Sequence, residues 1–189
     1  MHPNRAFTWE ERGEMLDFVR RISFCTICAE GPAIAHAPVV VLGQERLLFH
    51  LSRANSCARL LDGSRAIVSC LGADSYISPD WYGTDDQVPT WNYVAVEAEG
   101  PVRQVEEAEL ADMLDRLSEE HESRLAPKPA WTRGKMTPGR FEAMLKAIVG
   151  FELRIDALRG RESSARTRKS PSERGPPTAW RRTTRPWPK

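Results

Sequence analysis

The stretch ISFCTICAEGPAIAHAPVVVLGQERLLFHL, residues 22–51, holds three apolar runs rich in β-branched and aromatic residues. Ile22 to Ala29, Ala33 to Leu42 and Arg46 to Leu51 are each of strand length, and Gly43-Gln44-Glu45 marks a turn before the last. The pattern predicts three short strands in series. Upstream, Thr8 is placed to cap a helix from Trp9 to about Arg21, with Met15, Phe18 and Val19 recurring along its apolar face. Downstream, Asn55 or Ser56 is placed to cap a short helix through Leu61, ended by Asp62-Gly63, before another strand from Ala66 to Leu71. Tyr93 to Val105 reads as a long strand that Gly100-Pro101 bends or bulges.

In the charged segment Glu106 to His121, Leu110, Met113, Leu114 and Leu117 fall on one face, which predicts a surface helix. A loop over Pro127 to Lys135 holds Trp131, and Pro138 suits the first turn of a helix through Ala147. Phe151 to Leu158 alternates Phe151, Leu153 and Ile155 against Glu152, Arg154 and Asp156, the signature of a half-buried strand. Six or more short, mainly antiparallel strands with peripheral helices predict an α+β fold built on a small β-barrel, and not a doubly wound parallel sheet.

A chain of 189 residues is enough for one ordinary domain. Hydrophobic content of 41%, charged content of 28% and a mean hydropathy of −0.48 exclude a helical membrane protein, since no apolar run approaches the ~20 residues of a span. No secretory segment opens the chain, so the expected location is cytoplasmic. Cys25 and Cys28 form a CxxC, but on a strand residues i and i+3 face opposite sides, so the two thiols are expected to be structural. The four histidines show no metal-ligand spacing.

Charge divides the chain. Arg159 to Lys189 carries ten basic and two acidic side chains, a net of +8, whereas residues 1–158 carry a net of −7. The C-terminal part also holds five of the fourteen prolines and almost no aliphatic residues, so it cannot bury enough apolar surface to offset its ordering entropy. The expected organisation is a domain over residues 1–160 and a disordered basic tail over 161–189.

No GxGxxG, GxxxxGK[ST] or GxSxG pattern is present. What the chain offers is His50-Leu51-Ser52-Arg53-Ala54-Asn55-Ser56 at a junction of strand and helix, where backbone N–H groups, hydroxyls and a guanidinium suit a phosphate monoester. The alternative is structural: Asn55 and Ser56 as helix caps and Arg53 as a solvated side chain. A second segment, Tyr76 to Tyr93, packs five large aromatics and two prolines into eighteen residues, enough for a core wedge or a flat stacking surface. Within it, Asn92 between Trp91 and Tyr93 can donate to and accept from a heterocycle edge.

YISPDWYGTDDQVPTWNYVAV, with LLFHLSRANSCARLL and the opening MHPNRAF, closely resembles the PaiB family of FMN-binding negative transcriptional regulators. The resemblance runs from about Met1 to Gly160 and includes His121-Glu122. It implies a split β-barrel related to pyridoxamine-phosphate oxidases and flavin reductases, a homodimer, and FMN near the subunit interface. On this basis the flavin-binding candidates are His50, Ser52, Arg53, Asn55, Trp91 and Asn92. Asp80 and Asp85 depart from the family signature, which has a small residue and a Lys there, and the lost cation weakens attraction to an anion.

The family continues after the last strand with a run ending Lys-Leu-Ser-Gln-Asn-Lys, then an Arg-x-Gly segment and a Gly-Leu close. Nothing of that kind follows Gly160, yet the codon junctions across Glu162 to Arg168 permit that hexapeptide in a shifted frame. Junctions at Ser172 to Gly175 permit Arg-Ala-Gly, and those at Thr178 to Trp180 permit Gly-Leu. Residues from about Arg161 to Lys189 are therefore expected to be an out-of-frame reading, from sequencing error or real mutation, and not an evolved nucleic-acid arm despite Trp180 and Trp187.

Three functions follow. The first is a PaiB-like FMN-binding regulator, with DNA implied only by the resemblance because the acidic body is wrong for a phosphate footprint. The second is an oxidoreductase in which FMN carries hydride chemistry. The third is an interaction protein that has lost its cofactor. No catalytic residue stands out.

Overall fold

A computed structural model of the chain describes residues 7–31, 33–83 and 85–163. The tail from residue 164, with most of the segment expected to be disordered and out of frame, lies outside the described residues, as does most of MHPNRAF.

The elements are β1 (Thr8–Trp9), α1 (Arg12–Ile22), β2 (Phe24–Ala29), β3 (Ala33–Leu42), β4 (Arg46–Ser52), α2 (Ala58–Leu61) and β5 (Arg65–Ile77). They continue with β6 (Thr90–Gln104), α3 (Glu107–Ser123), α4 (Arg140–Leu145), β7 (Ile148–Arg154) and β8 (Ala157–Ser163). The eight strands run in the order β1-β8-β6-β5-β2-β3-β4-β7, every pair antiparallel, and β6 also pairs with β7. That last pairing closes β6, β5, β2, β3, β4 and β7 into a ring, with β8 and β1 continuing outward from the first half of β6.

Gly100 is where the ring splits. Residues 93–99 of β6 pair with β8, residues 102–104 with β7. A Cβ at Gly100 would sit 1.7 Å from the Arg154 carbonyl oxygen, so only glycine lets β6 pass this close to the break between β7 and β8. β6 runs through Gly100-Pro101 uninterrupted and in unbroken register with β5, and the bulge of that strand pair lies instead between Leu71 and Asp74.

Inward residues of the strands form the main core with the apolar face of α1: Phe49 and Phe151 stack 5.6 Å apart, and Leu16, Ile27, Leu47, Val96 and Leu153 are fully enclosed. A smaller core lies on the outer side of β3, β4 and β7, where Val40 and Leu48 meet Leu110 and Met113 of α3 and Leu145 of α4. The surface helix expected over 106–121 is thus α3, and Glu106 and Glu109 close a reciprocal capping box at its start.

Several boundaries differ from those read in the sequence. Thr8 caps no helix: it pairs with Arg161 of β8, while α1 begins at Arg12 behind Glu11. Trp9 is held there by edge-to-face contact with Phe18, a tertiary contact that overrides the local capping signal. β5 runs on to Ile77 through Gly72-Ala73-Asp74-Ser75 because β6 supplies a partner for each end, with a bulge between Leu71 and Asp74. Phe151 to Leu158 is two strands. The ladder breaks at Ile155-Asp156, where the chain keeps its direction along β6 and passes from one half of it to the other, and Ile155 stays buried, so the alternation runs through the break unseen. β8 continues three residues past position 160.

Cys25 points inward and Cys28 outward, as expected for a strand. Cys25 instead meets Cys70, Sγ to Sγ 2.7 Å, across the β2–β5 pair. That contact, and then burial, pushes the Cys25 thiol far above its ordinary value, which keeps it protonated and unreactive.

Candidate functional site

The junction after β4 is a tight turn whose side chains mostly serve the backbone. Ser52 Oγ accepts from the Ala54 N–H at 3.2 Å, and Asn55 Oδ1 accepts from the Cys57 N–H at 2.9 Å. These bonds shape the turn and lead into α2 two residues later than a direct cap at Asn55 would. Arg53 is anchored to the segment before β7: its N–H donates to the Ala147 carbonyl at 3.0 Å and its Nε to the Lys146 carbonyl at 3.0 Å. Among the described residues, the donors of this turn with no acceptor include the two Nη nitrogens of Arg53, the Ser52 and Ser56 hydroxyls and the Asn55 amide nitrogen. A guanidinium head beside a hydroxyl is a donor set that suits a phosphate.

Trp91 sits at the opposite end of the sheet. It is 57% exposed near the start of β6, edge-to-face with exposed Tyr76 across the strand pair, ring centres 6.2 Å apart. Asn92 points to the other side of β6, buried, with its Oδ1 accepting from the Ser163 hydroxyl at 3.3 Å. The amide therefore secures β8 and does not flank the Trp91 ring. Eleven residues separate Trp91 from Val102, on the order of 30 Å of strand, and Ser52 pairs with Ile148, which lies beyond the far end of β6. One chain does not bring the Arg53 turn and the Trp91 platform together.

His50 faces outward on β4 like Leu48, into a cavity of about 320 Å³ between the sheet and the helical layer. Leu114, Asp115 and Ser118 come from α3, Trp131 and Met136 from the following loop, Phe141, Met144 and Leu145 from α4, and Ile148 from β7. His50 Nδ1 is buried with no hydrogen-bond partner, and burial pushes the imidazole below its usual value. Such an orphaned group costs roughly 1–3 kcal/mol.

The cavity wall is fastened by a residue whose role spacing does not reveal. Glu122, near the end of α3, accepts from the Trp131 N–H at 2.8 Å and from Lys128 Nζ, and these two donors, Lys128 first, hold its carboxyl below the ordinary carboxylate range. Neighbouring His121 bonds through Nε2 to the Ser23 hydroxyl at 3.0 Å, tying α3 to the strained end of α1, where Ser23 has φ 62°. The His121-Glu122 pair lies inside α3 and works as a double clamp.

A ring of antiparallel strands with an exposed phosphate-suited turn and an aromatic platform is the architecture of a flavin-binding split barrel. Over 100% of its length the chain superposes on the flavocytochrome Anf3 from Azotobacter vinelandii, covering 87% of that chain with a TM-score of 0.65 at 14% identity. The FAD and heme binding protein from Mycobacterium smegmatis gives a TM-score of 0.60 at 20% identity, over 83% of this chain and 73% of that one. These likenesses define the fold. In sequence the chain is 30% identical over 165 residues to the "Protease synthase and sporulation protein PAI 2" of Bacillus subtilis, covering 84% of this chain and 78% of that protein. Residues 1–157 match the family described as "Putative FMN-binding domain", and the chain belongs to it.

FMN is the family's cofactor, and the donors here fit it in part. Arg53 and Ser56 suit the phosphate and Trp91 the ring system; the oxygens of Ser52 and Asn55 serve the backbone while the Ser52 O–H and the Asn55 amide N–H groups stay free to donate, and Asn92 is engaged with Ser163.

Proposed function

We propose that this chain binds FMN between two copies of itself and acts in the cytoplasm as a PaiB-like negative transcriptional regulator that responds to the flavin. The observation that supports the reading is the separation of the Arg53 turn from the Trp91 platform, which a second copy would bridge. Ser52 and Asn55 hold the turn, Arg53 binds the phosphate, and Trp91 stacks on the ring system. The outer face of β2, β3 and β5, where Phe24, Ile34 and Leu71 are exposed, offers apolar surface for the dimer contact. Four free cysteines suit a reducing compartment. The Bacillus relative's name supports a role in controlling protease synthesis and sporulation, and the net charge of −7 over residues 1–158 favours an indirect route to DNA.

A visible spectrum during FMN titration, with sedimentation velocity, tests this. Saturable flavin bands in a dimer are expected, with Arg53→Ala and Trp91→Ala each weakening FMN about tenfold or more. Mixed dimers of the two variants should regain one intact site in two. Saturable binding by a monomer would sink the between-copies arrangement, and no binding at all would leave an interaction protein that has lost its cofactor. A chain with the C-terminal frame restored is expected to bind FMN more tightly than this one.

The second reading, a flavin-dependent oxidoreductase, is favoured by the His50 cavity, since hydride transfer through FMN needs room for another molecule close by. Bleaching of the flavin bands by NADH or NADPH would select it.

A further inference from the structure

The cavity beneath α3 and α4 is not required for FMN binding in the first reading, yet it is built like a binding site. At about 320 Å³ it falls at the small end of ligand pockets, which run from ~300 to ~1,000 Å³. Its walls are apolar and aromatic, and it is held open from three sides. Glu122 fixes the backbone of Trp131; Arg133 bridges to Asp115 at 3.1 Å; and the same guanidinium lies 5.2 Å from the centre of the Phe141 ring.

Two features define what the space would accept. The first is charge. Asp115, the one carboxylate on the lining, is paired with Arg133, and the burial that disfavours imidazolium leaves His50 uncharged at neutral pH, so nothing there selects an ion. The second is the ring proton. His50 lines the cavity while its Nδ1 has neither exposure nor partner, so the ring meets the cavity by its other edge. A neutral imidazole carries one proton, and an unpaired buried acceptor is tolerated more readily than an unpaired buried N–H. The proton therefore belongs on Nε2, which becomes a donor looking for an acceptor.

We propose that this cavity is a second binding site, separate from the flavin, for a small neutral aromatic molecule that presents a hydrogen-bond acceptor, such as a carbonyl or ring nitrogen, to His50 Nε2. Trp131 and Phe141 supply stacking surface, and Met136 and Met144 adapt to the outline of the guest.

Isothermal titration of the purified full-length protein with 1-indanone and with indane tests the proposal, because the two probes differ only by the carbonyl. Saturable binding of 1-indanone at least tenfold tighter than indane is expected. His50→Leu should bring 1-indanone down to the level of indane, and Met144→Trp should abolish both while leaving FMN affinity unchanged. Because Met144 is half exposed, that variant is expected to keep the parent's circular dichroism and melting curve. Equal affinity for the two probes, absence of saturation, or indifference to both variants would overturn the site. So would competitive displacement of 1-indanone by FMN, which would assign the cavity to the flavin and leave the flavin reading intact. Binding of 1-indanone with the expected variant responses in a protein that fails to take FMN would sustain this site and defeat the flavin reading.

Discussion

Strand β3 is covered at one end of its outer surface and bare at the other. Val40 is 6% exposed beneath α3, whereas Ile34, six residues earlier on the same side, is 62% exposed. Around Val40 the helices supply Leu110, Met113 and Leu145, and a second core forms. Beside Ile34 on that side stands His36, with exposed Phe24 stacked on it, ring centres 6.4 Å apart. The strand chemistry is alike in both places. What differs is the partner: one half is closed within the chain by α3 and α4, and the other is the half we assign to a second copy.

The largest effects should lie under the helices. Leu110→Ala is expected to cost about 2–5 kcal/mol in chemical denaturation, and Ile34→Ala less than ~0.5 kcal/mol in dilute protein. An Ile34→Ala penalty that grows with protein concentration would sharpen the comparison by showing the bare half buried in an assembly. Phe24→Asp is the direct challenge. It should shift sedimentation from dimer to monomer while the melting profile of the isolated fold stays close to the parent's, and an unchanged sedimentation coefficient would remove this face from the interface.

Glu152→Gln probes the join between the two halves of the ring, where the nearly buried carboxylate of β7 receives Arg46 at 3.1 Å and Arg103 at 3.2 Å. A loss of about 1–3 kcal/mol is expected, because both guanidinium groups lose their charged partner at a barely solvated site. The smallest effect is at the exposed start of α3. There Arg103 holds Glu109 down at about 2 from an ordinary 4.5. A carboxylate depressed in the folded state contributes stability above its unfolded value and loses it as pH falls from about 4.5 towards 2. Solvent screening limits this to ~0.5 kcal/mol. The difference in Tm between the parent and Glu109→Gln should therefore shrink across that window, and a difference that persists below it would assign the effect to packing.

Much of the fold was legible because it is written in local periodicity. The runs at 24–29, 33–42 and 46–52 and the charged helix from residue 107 follow from alternation and amphipathic spacing. The break within Phe151 to Leu158 escaped because the chain runs on in the same direction along β6 and keeps Ile155 inside, which preserves the alternation. The candidate site was legible in kind and not in arrangement. Ser52 and Asn55 carry the polarity of a phosphate-binding turn, yet their oxygens are spent on their own backbone, and Asn92 turns away from Trp91 although the two are adjacent. Glu122, Trp131 and His50 come from three segments, and no spacing rule links them.

The amino-acid sequence alone determined which segments are strands and helices, the α+β class and the family, since these rest on residue periodicity and on contiguous motifs. Only the tertiary structure decided that β6 closes the ring by changing partners at Gly100, that Arg53 and Trp91 stand at opposite ends of one chain, and that His50 faces a cavity. Those facts depend on which strands pair and in what register, and pairing is set by the simultaneous burial of side chains distant in sequence.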